Sequence, residues 1–235
     1  MTTFSFGSSE ALLTSAKGEE THPHDREGAR RALNVVVAAT GLVLAAPIMA
    51  VIAVAVRLTS PGPVFYKQVR VGLDRRTSNG GNSRRKVDLG GKPFTLYKFR
   101  TMRVQAPGAE KQVWAAQNDP RITPIGGFLR KTRLDELPQL WNVLLGHMNV
   151  VGPRPEQPAI FQDLRQQVTS YQMRQRVRPG ITGNAQITLA YDSCLDDVRK
   201  KVKADLEYID RQSVLEDLRI MVLTAPAMIF RRGAR

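Results

Sequence analysis

Apolar residues are most concentrated in one run, ALNVVVAATGLVLAAPIMAVIAVAV, which passes from Ala32 to Val56 without a charged side chain. As an α-helix this run would be about 37 Å long, at about 1.5 Å per residue, and would exceed the roughly 30 Å hydrocarbon core of a bilayer. A buried core helix is the alternative, but uncharged runs of this length are uncommon in soluble domains. The pattern therefore favours association with a membrane.

Two features of the run argue against a simple crossing of the membrane. Pro47 lies inside it, where proline removes a backbone hydrogen bond and favours a kink. Both flanks are basic, with Arg30 and Arg31 before the run and Arg57 directly after it. Since basic flanks tend to remain cytoplasmic, both ends are expected on that side. A re-entrant helix bent at Pro47 and a kinked single span both fit the sequence by itself.

Two shorter segments have the composition of β-strands. VFYKQVRVG and PFTLYKFRTM are rich in β-branched and aromatic residues, and a polar loop rich in Gly, Ser and Arg separates them. They are therefore predicted to pair as a hairpin. Alternation along the second strand puts Lys98 and Arg100 on the same face. Taken by itself, this face is interpreted as basic and solvated.

A pair of adjacent acids, Asp135 and Glu136, precedes an apolar helical pattern in TRLDELPQLWNVLLG. Helical spacing brings the apolar residues onto one face, namely Leu137, Leu140, Trp141, Leu144 and Leu145. Pro138 is tolerated only in the first turn, so the helix is expected to start near Asp135, where its dipole would favour ionised acids. Such pairs are usually helix caps, but the nearby arginines make this one resemble a site for Mg²⁺ and phosphate.

Two loops rich in Pro and Gly present arginine, Arg154 in VVGPRPEQP and Arg178 in VRPGITGNAQ. Rigid loops of this kind suit diphosphate binding and serve equally as structural turns, so both interpretations stay open. Near the C-terminus, VLEDLRIMVLTAPAMIFRR has apolar residues at helical spacing. This amphipathic helix would lie in the membrane interface or pack against the domain.

Charge adds a requirement for an anionic partner. The 35 Lys and Arg exceed the 21 Asp and Glu by a net charge of +14, and 12 basic but only 2 acidic residues lie between Arg57 and Arg103. Such a stretch suits nucleic acid, anionic lipid headgroups or phosphorylated substrates. The single cysteine, Cys194, excludes an internal disulfide and suits a reducing compartment. A membrane-anchored nucleic-acid-binding protein is therefore one hypothesis, although the helix-turn-helix, zinc-ligand and aromatic RNA-binding signatures are missing.

Six motifs in order identify a family resemblance. They are the apolar segment with its internal proline, SPGPVFYKQVRVG, KFRTM, DPRITPIGGFLRKTRLDELPQLWNVL, GPRPE and RPGITG. From about residue 30 to residue 232 the chain resembles the bacterial sugar transferase family, the small monotopic phosphoglycosyl transferases. Together the motifs are far more specific than any one of them.

The resemblance implies a reaction and its residues. A sugar-1-phosphate would pass from a UDP-sugar to undecaprenyl phosphate with release of UMP, as the first membrane step of exopolysaccharide or other surface glycan synthesis. By resemblance, Asp135 is the nucleophile, and Asp135 and Glu136 engage Mg²⁺. Arg130 and Arg154 are similar to family residues that bind phosphate, and Arg178 is predicted to join them from its rigid loop.

The resemblance also implies an architecture. The expected fold class is α+β: a re-entrant membrane helix, a small cytoplasmic α/β catalytic domain and interfacial amphipathic helices. The predicted divisions are a disordered tail over 1–31, the helix over 32–58 broken at Pro47, and the catalytic domain over 59–235. The location would be the cytoplasmic face of the bacterial inner membrane, as a monotopic protein. Expected partners are UDP-sugar, undecaprenyl phosphate and membrane lipids, without nucleic acid, and a homodimer is compatible with the sequence.

Three positions depart from the usual family pattern. His147 stands where an acid is common, and Ala46 precedes Pro47 where many small members have Ser. The loop from Leu73 to Gly90 is longer and more basic than usual. These departures put in doubt a cap or charge contact at position 147 and a hydroxyl near the proline that could satisfy the freed backbone.

Overall fold

The computed structural model describes residues 23–74, 88–104, 119–189 and 194–230. Helices and short strands alternate in these residues, in agreement with the predicted α+β class. The helices and strands are α1 Pro23–Thr59, β1 Phe65–Val71, β2 Pro93–Phe99, α2 Pro124–Thr132, α3 Gln139–Leu144, β3 Asn149–Val151, α4 Pro158–Gln167, β4 Gly180–Thr182, α5 Asn184–Thr188, α6 Leu195–Arg211 and α7 Val214–Phe230. Short 3-10 helices cover Leu134–Glu136 and Tyr171–Arg176.

Helix α1 begins at Pro23, ahead of the apolar run, and continues through Pro47 as one helix to Thr59. The predicted disordered tail over 1–31 is therefore wrong for residues 23–31, while residues 1–22 lie outside the described part. The arginines at this end explain the difference, because both have partners in the rest of the chain. Arg31, for example, donates to the carbonyls of Val143 and Leu144 at 2.6 and 2.8 Å.

The two ends of α1 pack against the same folded unit. Ala38 is buried near Val143 and Met148, whereas Ile52 and Val56 are buried with Phe99 and Leu129. Between these contacts the helix exposes large apolar side chains, namely Val43, Leu44, Ile48, Val51 and Val54. Within the described residues, only the segment Glu27–Thr59 is long and apolar enough to span a membrane.

The predicted hairpin is confirmed. β1 and β2 are antiparallel, with Phe65 opposite Phe99 and Val71 opposite Pro93. The basic loop between them falls largely outside the described residues, over 75–87. The interpretation of Arg100 as solvated is wrong, because its guanidinium is buried and donates to the carbonyls of Ser60 and Pro61 at 2.6 and 2.7 Å. This arginine closes the turn that leads from α1 into the hairpin.

A second small sheet joins the two loops rich in Pro and Gly. β3 and β4 are parallel, with Asn149 paired to Gly180 and Val151 to Thr182. The loops approach so closely that a Cβ atom on Gly152 would lie 2.5 Å from the carbonyl oxygen of Arg178. Only glycine fits there, so the backbones of the two loops pack directly against each other.

Helix α7 has two different faces. Ile220 and Asp217 are fully buried against the domain, while Leu215 and Val222 are largely exposed. The buried face matches the packing alternative from the sequence analysis. The exposed apolar face is compatible with an interfacial position, which stays a prediction.

His147, one of the three departures from the family pattern, packs against an aromatic side chain of the fold. Its ring lies 5.8 Å from the ring of Phe94, and its Nδ1 atom is buried without a hydrogen-bond partner in the described chain. Burial first and then the charge of Lys92 lower the pKa of His147. An imidazole packed on an aromatic ring thus occupies position 147, where the family resemblance led us to expect an acid.

Candidate active site

The acid pair lies at a sharp turn that local sequence explains. Thr123 caps α2 by accepting the amide of Gly126 at 3.0 Å, with Pro124 in the first turn. The helix ends at Thr132 and is followed by Arg133, whose φ of 59° is left-handed. The chain then turns directly into the 3-10 helix that carries both acids.

The single helix predicted from Asp135 onward is divided into two pieces. Pro138 has no amide to donate to Leu134, so the carbonyl of Leu134 instead accepts the amide of Leu137 at 3.3 Å in a 3-10 turn. The α-helix proper starts at Gln139. The acids therefore precede the α-helix by a short tight turn.

Both acids are buried, and Glu136 is firmly held. Its Oε1 atom lies 2.7 Å from Nη2 of Arg154 and 3.6 Å from Nη1 of Arg133. Burial raises the pKa of Glu136, but the charge and hydrogen bond of Arg154 outweigh it and bring the pKa to about 2. Glu136 is thus an ionised carboxylate whose position is set by Arg154.

Asp135 differs from its neighbour. Asp135 is buried, with 6% of the residue exposed. Among the residues that the structure describes, none donates a hydrogen bond to its carboxylate. Burial and the adjacent charge of Glu136 raise the pKa of Asp135 to about 6, against the opposing charges of Lys98, Arg154 and Arg130. Burial thus has a larger effect on the pKa of Asp135 than the expected helix dipole, since the local helix is a short 3-10 turn.

The strand β2 supplies a cation that the sequence analysis assigned to a solvated face. Lys98 lies 5.7 Å from the ring of Tyr66, its partner across the hairpin, and it is the strongest positive influence on Asp135. Burial lowers the pKa of Lys98, and the charge of Asp135 opposes that shift. The site thus contains a partly desolvated lysine beside its free carboxylate.

The backbone of the loop after β3 is held by two further arginines. Arg174 donates to the carbonyl of Arg154 at 3.1 Å, and Arg70 donates to that of Pro155 at 2.9 Å. The carboxylate of Glu156 lies 3.2 Å from Lys201, with both arginines close by. The loop is therefore fixed in place, and Arg154 projects from it toward Glu136.

The predicted phosphate-binding arginines occupy different places. Arg154 contacts the acid pair, and Arg130, in the last turn of α2, acts on Asp135 through its charge. Arg178 lies elsewhere: it donates to the carbonyl of Gly146 at 3.1 Å and pairs with Glu27 at 2.9 Å. Its part in phosphate binding stays a prediction.

Three described arginines of the basic stretch have partners within the folded chain, and the stretch from 75 to 87, with five further basic residues, lies outside the described residues. Arg57, Arg70 and Arg100 all donate to backbone carbonyls of the folded chain. A nucleic-acid surface would instead present such groups to solvent.

The donor set can be tested against Mg²⁺. Within the described residues no third acid, histidine or cysteine joins the pair. Mg²⁺ is commonly held by one or two carboxylates together with substrate phosphates, and the unpartnered carboxylate of Asp135 suits that role. Glu136 would bind a metal only by sharing the oxygen atoms that Arg154 holds. The residues thus fit a metal that arrives with a diphosphate.

Sequence reasoning missed Lys98, Arg70 and Arg174 as contributors to the site. For Lys98 a signal existed, since it belongs to the KFRTM motif. Arg174 is fully buried and lies in a polar segment, YQMRQR, that contains no recognisable pattern. Its importance follows only from its contact with the loop of Arg154.

Comparisons with known proteins identify the family of the chain. The family model described as bacterial sugar transferase matches residues 26–231. A UDP-glucose:undecaprenyl-phosphate glucose-1-phosphate transferase of Escherichia coli K12 is 43% identical over 197 residues, which cover 83% of this chain and 39% of that protein. A UDP-N-acetylgalactosamine-undecaprenyl-phosphate N-acetylgalactosaminephosphotransferase of Aeromonas hydrophila is 36% identical, over 88% of this chain and 45% of that protein.

A shorter relative is similar over nearly its whole length. The exopolysaccharide production protein PSS of Rhizobium leguminosarum bv. phaseoli is 35% identical over 211 residues, which cover 86% of this chain and 96% of that protein. The chain therefore spans less than half of the Escherichia coli and Aeromonas relatives, but almost all of the Rhizobium protein.

Proposed function

The chain belongs to the bacterial sugar transferase family, and we propose that it transfers a sugar-1-phosphate from a UDP-sugar to undecaprenyl phosphate, with release of UMP. The names of the relatives support this reaction class, since two of them are sugar-1-phosphate or sugar phosphate transferases that act with undecaprenyl phosphate. The name of the Rhizobium relative supports a place in exopolysaccharide production.

One observation carries the proposed mechanism: Asp135 is a buried carboxylate without a hydrogen bond from any described residue, next to a second acid that Arg154 immobilises. A structural acid in such surroundings would be expected to have a donor. An unpartnered carboxylate surrounded by cations is instead suited to act as a nucleophile toward an anionic substrate.

In the proposed first step, an oxygen of Asp135 attacks the phosphorus that bears the sugar. A bond from this carboxylate oxygen to phosphorus forms, the bond from phosphorus to the bridging oxygen breaks, and UMP leaves with the electron pair. Lys98 and Arg130 lower the repulsion between the carboxylate and the diphosphate by their charge. The product is a phosphosugar ester on Asp135.

In the second step, a phosphate oxygen of undecaprenyl phosphate attacks the same phosphorus. The ester bond to Asp135 breaks and restores the carboxylate, and a lipid diphosphate sugar is formed. This sequence lets the water-soluble donor and the lipid acceptor use one site in turn. Glu136 keeps Arg154 in place throughout, because their ion pair does not involve the reacting oxygen.

Mg²⁺ is proposed as the cofactor, with Asp135 as its principal protein ligand and Glu136 as a shared one. When bound, it would neutralise charge on the diphosphate and on the departing UMP.

We also propose that α1 is re-entrant and that the catalytic unit faces the cytoplasm on the inner membrane. Support comes from the packing of both ends of α1 on the same folded unit, around an exposed apolar middle that contains Pro47. Basic flanks support a cytoplasmic location for both ends. Cysteine-accessibility labelling tests this topology, and labelling of the Pro23 end from the periplasmic side would contradict it.

The experiment that tests the reaction combines product release and trapping. Purified protein in nanodiscs is incubated with UDP-glucose or UDP-N-acetylgalactosamine, Mg²⁺ and undecaprenyl phosphate, and UMP is measured. A second incubation without lipid is analysed by mass spectrometry for a phosphosugar adduct on the peptide containing Asp135. Release of UMP together with this adduct is expected. If UMP is released but a single-turnover reaction proceeds without any adduct, the covalent mechanism is wrong.

A further inference from the structure

Two polar side chains of α1 are buried in the folded chain. Asn34 is 0% exposed and interrupts the apolar run, and Arg30, one turn earlier, is 8% exposed. The proposed chemistry uses neither of them. Buried polar groups persist where they have specific partners, and both of these residues do.

Asn34 joins α1 to the backbone of β3. Its Oδ1 atom accepts the amide of Val150 at 2.6 Å, and its Nδ2 atom donates to the carbonyl of Arg30 at 2.7 Å. The side chain therefore holds a strand residue in register with the helix, through a contact between positions far apart in sequence.

Arg30 connects α1 to α6 and α7. Its guanidinium donates to Asp217 at 2.9 Å and to the hydroxyl of Tyr208 at 2.7 Å. The Tyr208 oxygen lies in turn 2.7 Å from Asp217 and 3.2 Å from the carbonyl of Val151. The cluster of Arg30, Tyr208 and Asp217 thus ends on the strand residue next to the one that Asn34 holds.

The strand so held leads directly to the active site. Gly152 and Pro153 follow Val151, and Arg154 then reaches Glu136 at 2.7 Å. An ion pair of this kind depends on the position of its backbone, and displacement by about 1 Å can reduce catalysis strongly. The position of Arg154 therefore depends on how β3 is seated against α1.

We propose that Asn34, Arg30, Tyr208 and Asp217 are positioning residues that couple the seating of the apolar helix to the placement of Arg154. The enzyme would then reach full activity only when α1 is correctly docked on the domain. The kinetic part of this inference rests on the proposed function.

A double-mutant cycle tests the coupling through turnover. Tyr208→Phe removes one hydroxyl and keeps the ring, and we expect kcat/KM to fall about tenfold, mainly in kcat. In an Arg154→Ala background, the same change should lower kcat/KM less than about twofold, because the residue being positioned is gone. Equal losses in both backgrounds would overturn the proposal. Asn34→Leu provides a second cycle with the same expectation.

The matched control is Glu216→Gln. Glu216 adjoins Asp217 on α7, but its pair with Arg219 at 2.8 Å is exposed on the arginine side and does not reach β3. We expect kcat/KM to change less than about twofold in either background. A loss as large as that of Tyr208→Phe would indicate a general effect of α7 and would overturn the specific coupling.

A measurement without substrate separates this inference from the proposed function. The amide of Gly152 donates to the carbonyl of Thr182 at 2.9 Å, so its hydrogen exchange reports on whether the chain between β3 and Arg154 keeps its pairing with β4. We expect exchange at Gly152 to rise at least about fivefold in Tyr208→Phe and to stay unchanged in Glu216→Gln. Unchanged exchange in Tyr208→Phe would overturn the coupling. If the wild-type protein released no UMP, the proposed function would fail while this test would still decide the inference.

Discussion

Two buried clusters of acids and arginines differ in how completely they are paired. In the cluster around Arg174, the guanidinium binds Asp205 at 2.7 Å, the hydroxyl of Tyr171 at 2.7 Å and the carbonyl of Arg154 at 3.1 Å. In the cluster around Asp135, Glu136 has Arg154, but the Asp135 carboxylate has no hydrogen-bond donor among the described residues. The first cluster satisfies its charges within the chain, whereas the second keeps one charge available.

This difference supports our proposal that the first cluster is structural and the second reactive. Arg174 and Asp205 are almost fully buried, and a buried pair of this kind holds the backbone around it in one arrangement. Asp135 is buried at a site where incoming phosphate would find Lys98 and Arg130. We therefore expect changes in the first cluster to lower stability, with a further effect on turnover through the loop of Arg154. Changes in the second cluster should lower turnover with little effect on stability.

The largest effect is expected from Asp135→Asn. The amide keeps the size of the side chain but cannot form the phosphosugar ester, so turnover should fall by about 10⁴-fold or more. Thermal stability should not fall, because the change removes a buried charge that repels Glu136. UMP release and thermal unfolding measure the two effects. Normal turnover of Asp135→Asn would show that the acid pair has a purely structural role.

Arg174→Met should lower the stability of the protein, unlike Asp135→Asn. It leaves Asp205 buried without its partner, and breaking a buried pair in this way costs about 3–5 kcal/mol in the free energy of unfolding. Arg199→Met is the control, since its pair with Asp196 at 2.6 Å is exposed on both sides and should contribute no more than about 1 kcal/mol. Denaturant unfolding in detergent micelles measures both. Equal stabilities would show that burial does not distinguish the two pairs.

Arg154→Ala should affect turnover more than stability. A hydrogen bond to a charged group contributes about 1.5–3 kcal/mol, so kcat/KM should fall about 10- to 100-fold. Arg178→Ala separates the two interpretations of the second loop. A phosphate clamp would give a similar loss of kcat/KM, whereas a structural turn would give a lower Tm with kcat nearly unchanged.

The smallest effect is expected from pH. The nucleophile must be ionised, and the pKa of Asp135 is raised to about 6 by burial and by Glu136. The value of kcat/KM, which reports on the free enzyme, should therefore rise with pH through about 6 and reach a plateau above it; one unit below the midpoint, about a tenth of the carboxylate is ionised. In Arg154→Ala the midpoint should move to higher pH, because Arg154 opposes that shift by its charge. An unchanged profile between pH 5 and 8 would exclude Asp135 as the titrating nucleophile.

Local features were predictable because they depend on neighbours in the sequence. The hairpin follows from two segments of strand composition around a polar loop, and the apolar helix follows from one uncharged run. The acid pair was noticeable because Asp135 and Glu136 are adjacent among arginines. The start of the following α-helix was misplaced, since the 3-10 turn imposed by Pro138 precedes it.

The partners of the charged groups could not be predicted from the pattern. Arg154 meets Glu136 across 18 positions, Arg174 meets Asp205 across 31, and Arg30 meets Asp217 across 187. These pairings arise from the packing of β3, α6 and α7 against α1, which the sequence pattern does not specify.

The sequence by itself determined the family, the apolar helix and the location of the two adjacent acids. The tertiary structure decided which acid is held and which is available, because the energy of a buried charge depends on its desolvation and on the charges brought near it. Glu136 is paired with Arg154, whereas Asp135 is buried beside the negative charge of Glu136. Two adjacent carboxylates thereby acquired pKa values of about 6 and about 2, a separation that no local pattern contains.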